Sequence, residues 1–118
     1  MVTGESPHSG VHRLAIVGVG LMGGSLGLAA RARARVDQVV GYDPDPAALE
    51  EALRVGAITE TAGSAAEAAA YADLVVVAAP VRTIPALVEE CAAAEPRPRL
   101  ISDTGSVKSS VIGALSPL

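Results

Sequence analysis

Apolar residues along this chain come in short unbroken runs rather than in alternation. Leu14-Ala15-Ile16-Val17 and Leu74-Val75-Val76-Val77 are the clearest, with Val39-Val40 a shorter one. Unbroken runs of this length suit strands buried on both faces, as in a parallel sheet. The stretches between them are rich in Ala, Leu and charged residues, and they carry helix punctuation. Asp45-Pro46 reads as an N-cap followed by proline at the first helical position, and Gly56 as a stop signal. The pattern predicts strands over 12–18, 36–43, 59–62, 74–78 and 99–103. It predicts helices over 21–33, 46–55, from Ser64 to about Tyr71, from Thr83 or Pro85 to about Ala94, and over 107–115. Strands alternating with helices imply an α/β fold: a doubly wound parallel sheet with helices on both faces.

The first crossover carries the most informative string. Gly18-Val19-Gly20-Leu21-Met22-Gly23 follows the first strand directly, and Gly24, Ser25 and Gly27 continue it into a small-residue helix. A buried strand entering G-x-G-x-x-G and then a helix is the dinucleotide-binding fingerprint of a Rossmann-type sheet. Gly18 permits a tight turn, Gly20 admits a pyrophosphate to the backbone, and Gly23 lets the helix pack closely. The phosphates are expected at the helix N-terminus, where unpaired N–H groups and the positive end of the dipole favour an anion. Asp43 closes the second strand 20 residues after Gly23, where the fingerprint places an acid that accepts hydrogen bonds from the adenosine ribose. Its charge, with that of Asp45, disfavours the extra phosphate of NADP, so NAD is the expected cofactor. Ala78, Ala79, Pro80 and Val81 at the exit of the fourth strand leave room for it. Thr83 either caps the next helix or contacts the cofactor. Arg82 is expected to be exposed, and Arg31, Arg33 and Arg35 to be a solvated helix end.

Composition narrows the remaining classes. The chain has 118 residues, 50% of them hydrophobic, and a formal net charge of −4. Its only aromatic residues are Tyr42 and Tyr71, so neither a basic footprint nor a base-stacking surface for nucleic acid is expected. Cys91 is the sole cysteine, which excludes an internal disulfide and a cysteine-rich metal site, and it is expected to pack as an inert thiol. No apolar run reaches the length of a membrane-spanning helix. Residues 1–11 lack the apolar core of a signal peptide and read as a flexible leader, with a cytoplasmic location the default.

At the end of the fifth strand stands Asp103-Thr104-Gly105-Ser106-Val107-Lys108. With the glycine turn, Gly41-Tyr42-Asp43 and Ala79-Pro80-Val81, this stretch resembles the prephenate/arogenate dehydrogenases of tyrosine biosynthesis, over about residues 12–118. The resemblance implies an NAD-binding domain whose cofactor contacts fall on Gly18, Gly20, Leu21, Met22, Gly23, Asp43, Ala79, Pro80, Val81, Thr83, Asp103 and Gly105. It implies NAD-dependent oxidative decarboxylation of prephenate to 4-hydroxyphenylpyruvate, with Ser106 beside the reacting hydroxyl and the nicotinamide. It also implies a small-molecule substrate, prephenate or arogenate, and a homodimer.

Two features of the family pattern are missing. The family's Gly-His-Pro histidine, which takes a hydrogen bond from the substrate hydroxyl, has no counterpart, because His8 and His12 are the only histidines and both precede the glycine turn. Its helical C-terminal domain, which adds substrate contacts and the dimer interface, is likewise expected to be missing from these 118 residues. The 118-residue chain alone is therefore expected to be inactive. Ser106 equally suits a helix N-cap, and Asp103 either shapes its turn or touches the nicotinamide side. The alternatives are a β-hydroxyacid-type dehydrogenase, which shares the first motif, and a non-enzymatic dinucleotide-sensing module.

Overall fold

The computed structural model describes residues 11–33 and 36–103. The elements in chain order are β1 (Arg13–Val17), α1 (Leu21–Arg33), β2 (Gln38–Tyr42), α2 (Pro46–Arg54), β3 (Glu60–Thr61), α3 (Ala65–Ala69), β4 (Leu74–Val77), α4 (Ile84–Ala92) and β5 (Ile101–Asp103). A short 3₁₀ turn, Val81–Thr83, leads into α4. The strands form one five-stranded sheet in the order β3-β2-β1-β4-β5, and every pair is parallel.

This order reverses between β1 and β4. From β1 the chain winds outward through β2 to β3, then crosses back to β4 and β5 on the other side. Such a reversal opens a crevice at the carboxyl ends of the two central strands, where open α/β sheets take their ligands.

The unbroken apolar runs became the central strands, buried throughout β4 and along nearly all of β1. Alternate residues feed separate cores. Leu14, Ile16, Leu74 and Val76 pack with Leu26 and Ala30 of α1 and with Ala52 of α2. Ala15, Val17, Val75 and Val77 pack with the alanines of α3 and with Cys91 of α4. Helices therefore cover both faces, as the run lengths implied. Each buried Val, Leu or Ile contributes about 1.5–3 kcal/mol.

Local punctuation acts where expected. Asp45 caps α2 by accepting the N–H of Ala47 at 3.0 Å, with Pro46 in the first turn, and Ser64 caps α3 by accepting the N–H of Glu67. Gly56 ends α2 at φ +83°, a conformation that side chains disfavour. Several expected boundaries are too generous. β3 has two residues rather than four because its side chains are exposed at the sheet edge, and α3 stops at Ala69 instead of near Tyr71. β5 begins at Ile101 rather than Arg99. The Arg31 end of α1 is exposed as expected, yet Arg31 also donates from Nη1 to the Gly56 carbonyl at 2.7 Å. The expected helix over 107–115 lies outside the described residues.

Asp73 serves a structural turn at the amino edge of the sheet. One of its oxygens accepts the N–H groups of His12 and Arg13, at 2.8 and 3.0 Å, and the other pairs with Arg99 at 3.7 Å. It thus ties β1 to the start of β4 and the entry to β5, on the edge opposite the crevice.

Candidate functional site

The glycine turn is built by contact. Gly18 lies at φ +99°, and a Cβ there would stand 2.9 Å from the carbonyl group of Ala78. β1 and β4 therefore exit side by side with no room for a side chain between them. The Gly18 N–H donates to the carbonyl of Tyr42 at 2.7 Å, and the N–H of Ala78 to that of Val17 at 2.8 Å, which joins three strand exits into one rim. Gly23 is buried one helical turn on, and a Cβ there would collide with the Gly18 carbonyl oxygen. Gly20 is the opposite case: it is exposed, with nothing within 4 Å of the place its Cβ would take. The two outer glycines are thus needed by the protein itself, while the space at Gly20 lies open at the start of α1. No acidic side chain stands in the first turn of α1, so its N-terminal N–H groups and positive dipole end are not neutralised from within.

Beside this turn lies a cleft of about 730 Å³. Gly18 and Gly20 form its floor, Asp43 and Pro44 one side, and Ala79, Pro80 and Thr83 the other. Asp43 is half-buried. Its Oδ2 accepts the N–H of Val19 at 3.0 Å and its Oδ1 the N–H of Asp45 at 2.9 Å. Each carboxylate oxygen keeps a further lone pair for a ligand hydroxyl.

Six of the residues expected at a cofactor therefore share one cleft: Gly18, Gly20, Asp43, Ala79, Pro80 and Thr83. Gly23 supports it from beneath. Leu21 and Met22 open α1, and Val81 opens the 3₁₀ turn. Asp103 ends β5 in register with Val77, at the same edge of the sheet, but it is not among the residues lining the cleft. Gly105 and Ser106 lie outside the described residues.

Thr83 had two readings. Its position is that of an N-cap, but its backbone is helical and its side chain makes no capping bond. Its hydroxyl donates to the Pro80 carbonyl at 2.7 Å instead. Thr83 therefore lines the cleft and does not cap.

Sequence reasoning missed Tyr42, Pro44, Ala86 and Leu87 and set Arg82 aside as merely exposed; all five line the cleft. Ala86 and Leu87 fall in the first turn of α4, three and four residues after Thr83. That spacing puts them on the face Thr83 occupies, and it was the one signal that could have found them.

Cys91 is fully buried on α4, with Sγ 3.8 Å from the Ala65 carbonyl. Burial, helped by the nearby charge of Glu90, pushes its thiol up to about 11. Among the described residues no group of three or more His, Cys, Asp or Glu could hold a metal ion. Likewise, no helix among them is long and apolar enough to cross a membrane.

A doubly wound parallel sheet with a glycine turn and an acidic residue at the second strand exit defines a nucleotide-binding domain of the dehydrogenase type. More particularly, a family described as prephenate dehydrogenase, nucleotide-binding domain, matches residues 26–118, and the chain belongs to that family. The match begins after the glycine turn, so it is independent of the motif shared with other dehydrogenases. A Bacillus subtilis prephenate dehydrogenase is 32% identical over 98 residues, which is 82% of this chain and 26% of that protein. The solved prephenate dehydrogenase of A. aeolicus, in complex with hydroxyphenyl propionate and NAD+, superposes with a TM-score of 0.70 at 29% identity. That alignment covers 96% of this chain and 38% of the A. aeolicus one. Synechocystis arogenate dehydrogenase shares the fold at 21% identity and a TM-score of 0.66, over 87% of this chain and 36% of its own. The chain thus spans roughly a quarter to two-fifths of the length of these relatives.

Proposed function

We propose that residues 12–118 are the NAD-binding domain of a prephenate or arogenate dehydrogenase, preceded by a leader at 1–11. The observation that carries this reading is Asp43, whose carboxylate lines the cleft beside the glycine turn with lone pairs left for the adenosine ribose hydroxyls. The pyrophosphate would fit over Gly20, where the structure leaves space and the first turn of α1 carries no acidic side chain. Pro44 and the first turn of α4, which line the cleft beyond Asp43, would hold the adenine. Ala78, Ala79 and Asp103 at the end of β5 would hold the nicotinamide side, and Gly105 and Ser106 follow Asp103 in sequence. The family match and the NAD-bound relative support this placement.

In the whole enzyme, bound NAD supplies the hydride acceptor for oxidative decarboxylation of prephenate to 4-hydroxyphenylpyruvate. This chain contributes the residues that would position the cofactor, and Ser106 is the residue to which the family resemblance assigns a place beside the reacting hydroxyl. Proton management needs a further group. His12 cannot serve, because its backbone is held by Asp73 at the amino edge of the sheet, opposite the cleft. Among the described residues no histidine lines the cleft, so the chain alone is expected to hold cofactor without turnover. A cytoplasmic homodimer is the proposed form of the full enzyme.

Titration of the chain with NADH, followed by nicotinamide fluorescence, tests the cofactor reading. Enhanced emission is expected, and no change at millimolar NADH would overturn it.

A further inference from the structure

We infer that the outer face of the α1/α2 layer is a docking surface for a second copy of this chain, set by a two-fold axis at the level of Leu28 and Val55. This contact is separate from the one that the family resemblance assigns to a helical C-terminal domain, and it does not rest on the cofactor reading.

α1 and α2 run in the same direction and cover one face of the parallel sheet. The seam between them is an apolar groove. Its part toward the carboxyl edge, about 380 Å³, is lined by Gly24, Ser25 and Leu28 of α1 and by Ala48, Ala52 and Val55. Its part toward the amino edge, about 570 Å³, is again lined by Leu28 and Val55, together with Arg31 and Gly56. The two large side chains common to both parts mark one level along the seam. Leu28 is 45% exposed and Val55 43%, where the outward face of a helix layer ordinarily carries polar residues.

The charges on this face say what covers it. Arg31 stands three residues past Leu28 along α1, and Glu51 stands four residues before Val55 along α2. At a rise of about 1.5 Å per residue, the two lie about 5 Å from the Leu28–Val55 level, in opposite directions and on opposite helices. A two-fold axis normal to the face at that level exchanges the helices and reverses their direction. It therefore sets Arg31 of one copy over Glu51 of the other, twice by symmetry, with the apolar side chains of both copies between. Glu50, exposed beside Glu51, strengthens the acidic half, and α1 carries no acidic residue that would repel it. Both partners keep capacity for the contact. Arg31 gives one Nη1 hydrogen to the Gly56 carbonyl and has further donors, and each Glu51 oxygen accepts one bond from Arg54 and has a further lone pair. A partner of a single charge sign would be repelled by one half of this face, whereas a second copy matches both halves.

Size sets the strength expected. The 13 residues of α1 make the face roughly 20 Å long at that rise, and two neighbouring helices make it roughly 20 Å wide. That is the small end of specific interfaces, so the pair should exchange rapidly, with a dissociation constant of about 0.1 mM. Its exposed charge pairs should also make it sensitive to salt.

Sedimentation of the chain from about 10 µM to about 1 mM, at low and high salt, tests the inference. The average mass should climb toward that of two chains, and high salt should weaken the association several-fold. Leu28→Glu sets two carboxylates near the axis and should stay monomeric throughout; Leu28 is exposed, so the variant should keep its circular dichroism. Arg31→Glu and Glu51→Arg each bring like charges together and should be monomeric alone. An equal mixture of these two should associate, because both contacts of the mixed pair regain opposite charges. Leu28→Glu carries the test by itself should Arg31→Glu, which gives up the Gly56 bond, fail to fold. A chain that stays monomeric at about 1 mM overturns the inference and leaves the groove to a partner of another sequence. Association that Leu28→Glu does not reduce, or folded charge variants that fail to associate on mixing, overturn it as well.

Discussion

The carboxylate of Asp43 accepts the backbone N–H of Val19, joining the end of β2 to the glycine turn across 24 residues of sequence. Through its other oxygen it holds Asp45, which in turn caps α2. One side chain therefore fixes the turn, one wall of the cleft and the start of a helix, while keeping lone pairs free for a ligand. Asp43→Ala should lower stability by about 1–2 kcal/mol through the two unpaired N–H groups. It should also weaken NADH more than NADPH, since NADPH loses a repulsion together with a contact. Thermal unfolding and paired fluorescence titrations measure the two effects, and equal losses for both dinucleotides would remove the ribose argument.

The glycines of the turn should separate by substitution. Gly20→Ala meets no neighbour within 4 Å, so unfolding should be unchanged while NADH binding falls. Gly23→Ala sets a methyl group against the Gly18 carbonyl and should cost about 2 kcal/mol or more, with α1 displaced from the sheet. Equal melting temperatures for the two variants would contradict the packing described.

Asp73 offers a control on the opposite edge. Asp73→Ala leaves the N–H groups of His12 and Arg13 without their acceptor and should cost about 1–3 kcal/mol. Its pair with the exposed Arg99 adds little. NADH affinity, measured below the melting transition, should not move.

The Cys91 thiol should make stability fall in alkali. Its folded value is raised, to about 11 from 9.0, so the neutral form is favoured in the fold. Its contribution is complete below the unfolded value and is lost as pH rises from 9 to 11. The slope should be up to about 1 kcal/mol per pH unit. Urea unfolding across that window, compared with Cys91→Ala, isolates the effect, since the variant should lack this part of the slope.

Mixed with prephenate and NAD, the chain should form no NADH, because among the described residues no histidine lines the cleft to accept the substrate proton. Absorbance of NADH over long incubation checks this, and measurable turnover would place the missing proton acceptor within these 118 residues.

By itself the sequence determined the order of strands and helices, the extent of α1, the caps at Asp45 and Ser64, and the position of Asp43 at a strand exit. These follow from run length, helical period and capping chemistry, which act within a few residues and need no knowledge of neighbours. Tertiary structure decided what each exit faces. The reversal between β1 and β4 brought Pro44 and the first turn of α4 to opposite sides of one cleft, although more than forty residues separate Pro44 from Leu87. The 3₁₀ turn before α4 set Thr83 in a helical conformation and turned its hydroxyl onto Pro80, leaving two open readings with one outcome. Arg31 found the Gly56 carbonyl 25 residues away, where local reasoning saw only solvent. Partners of this kind depend on how layers pack, and a one-dimensional pattern records which faces are apolar but not which neighbours they meet.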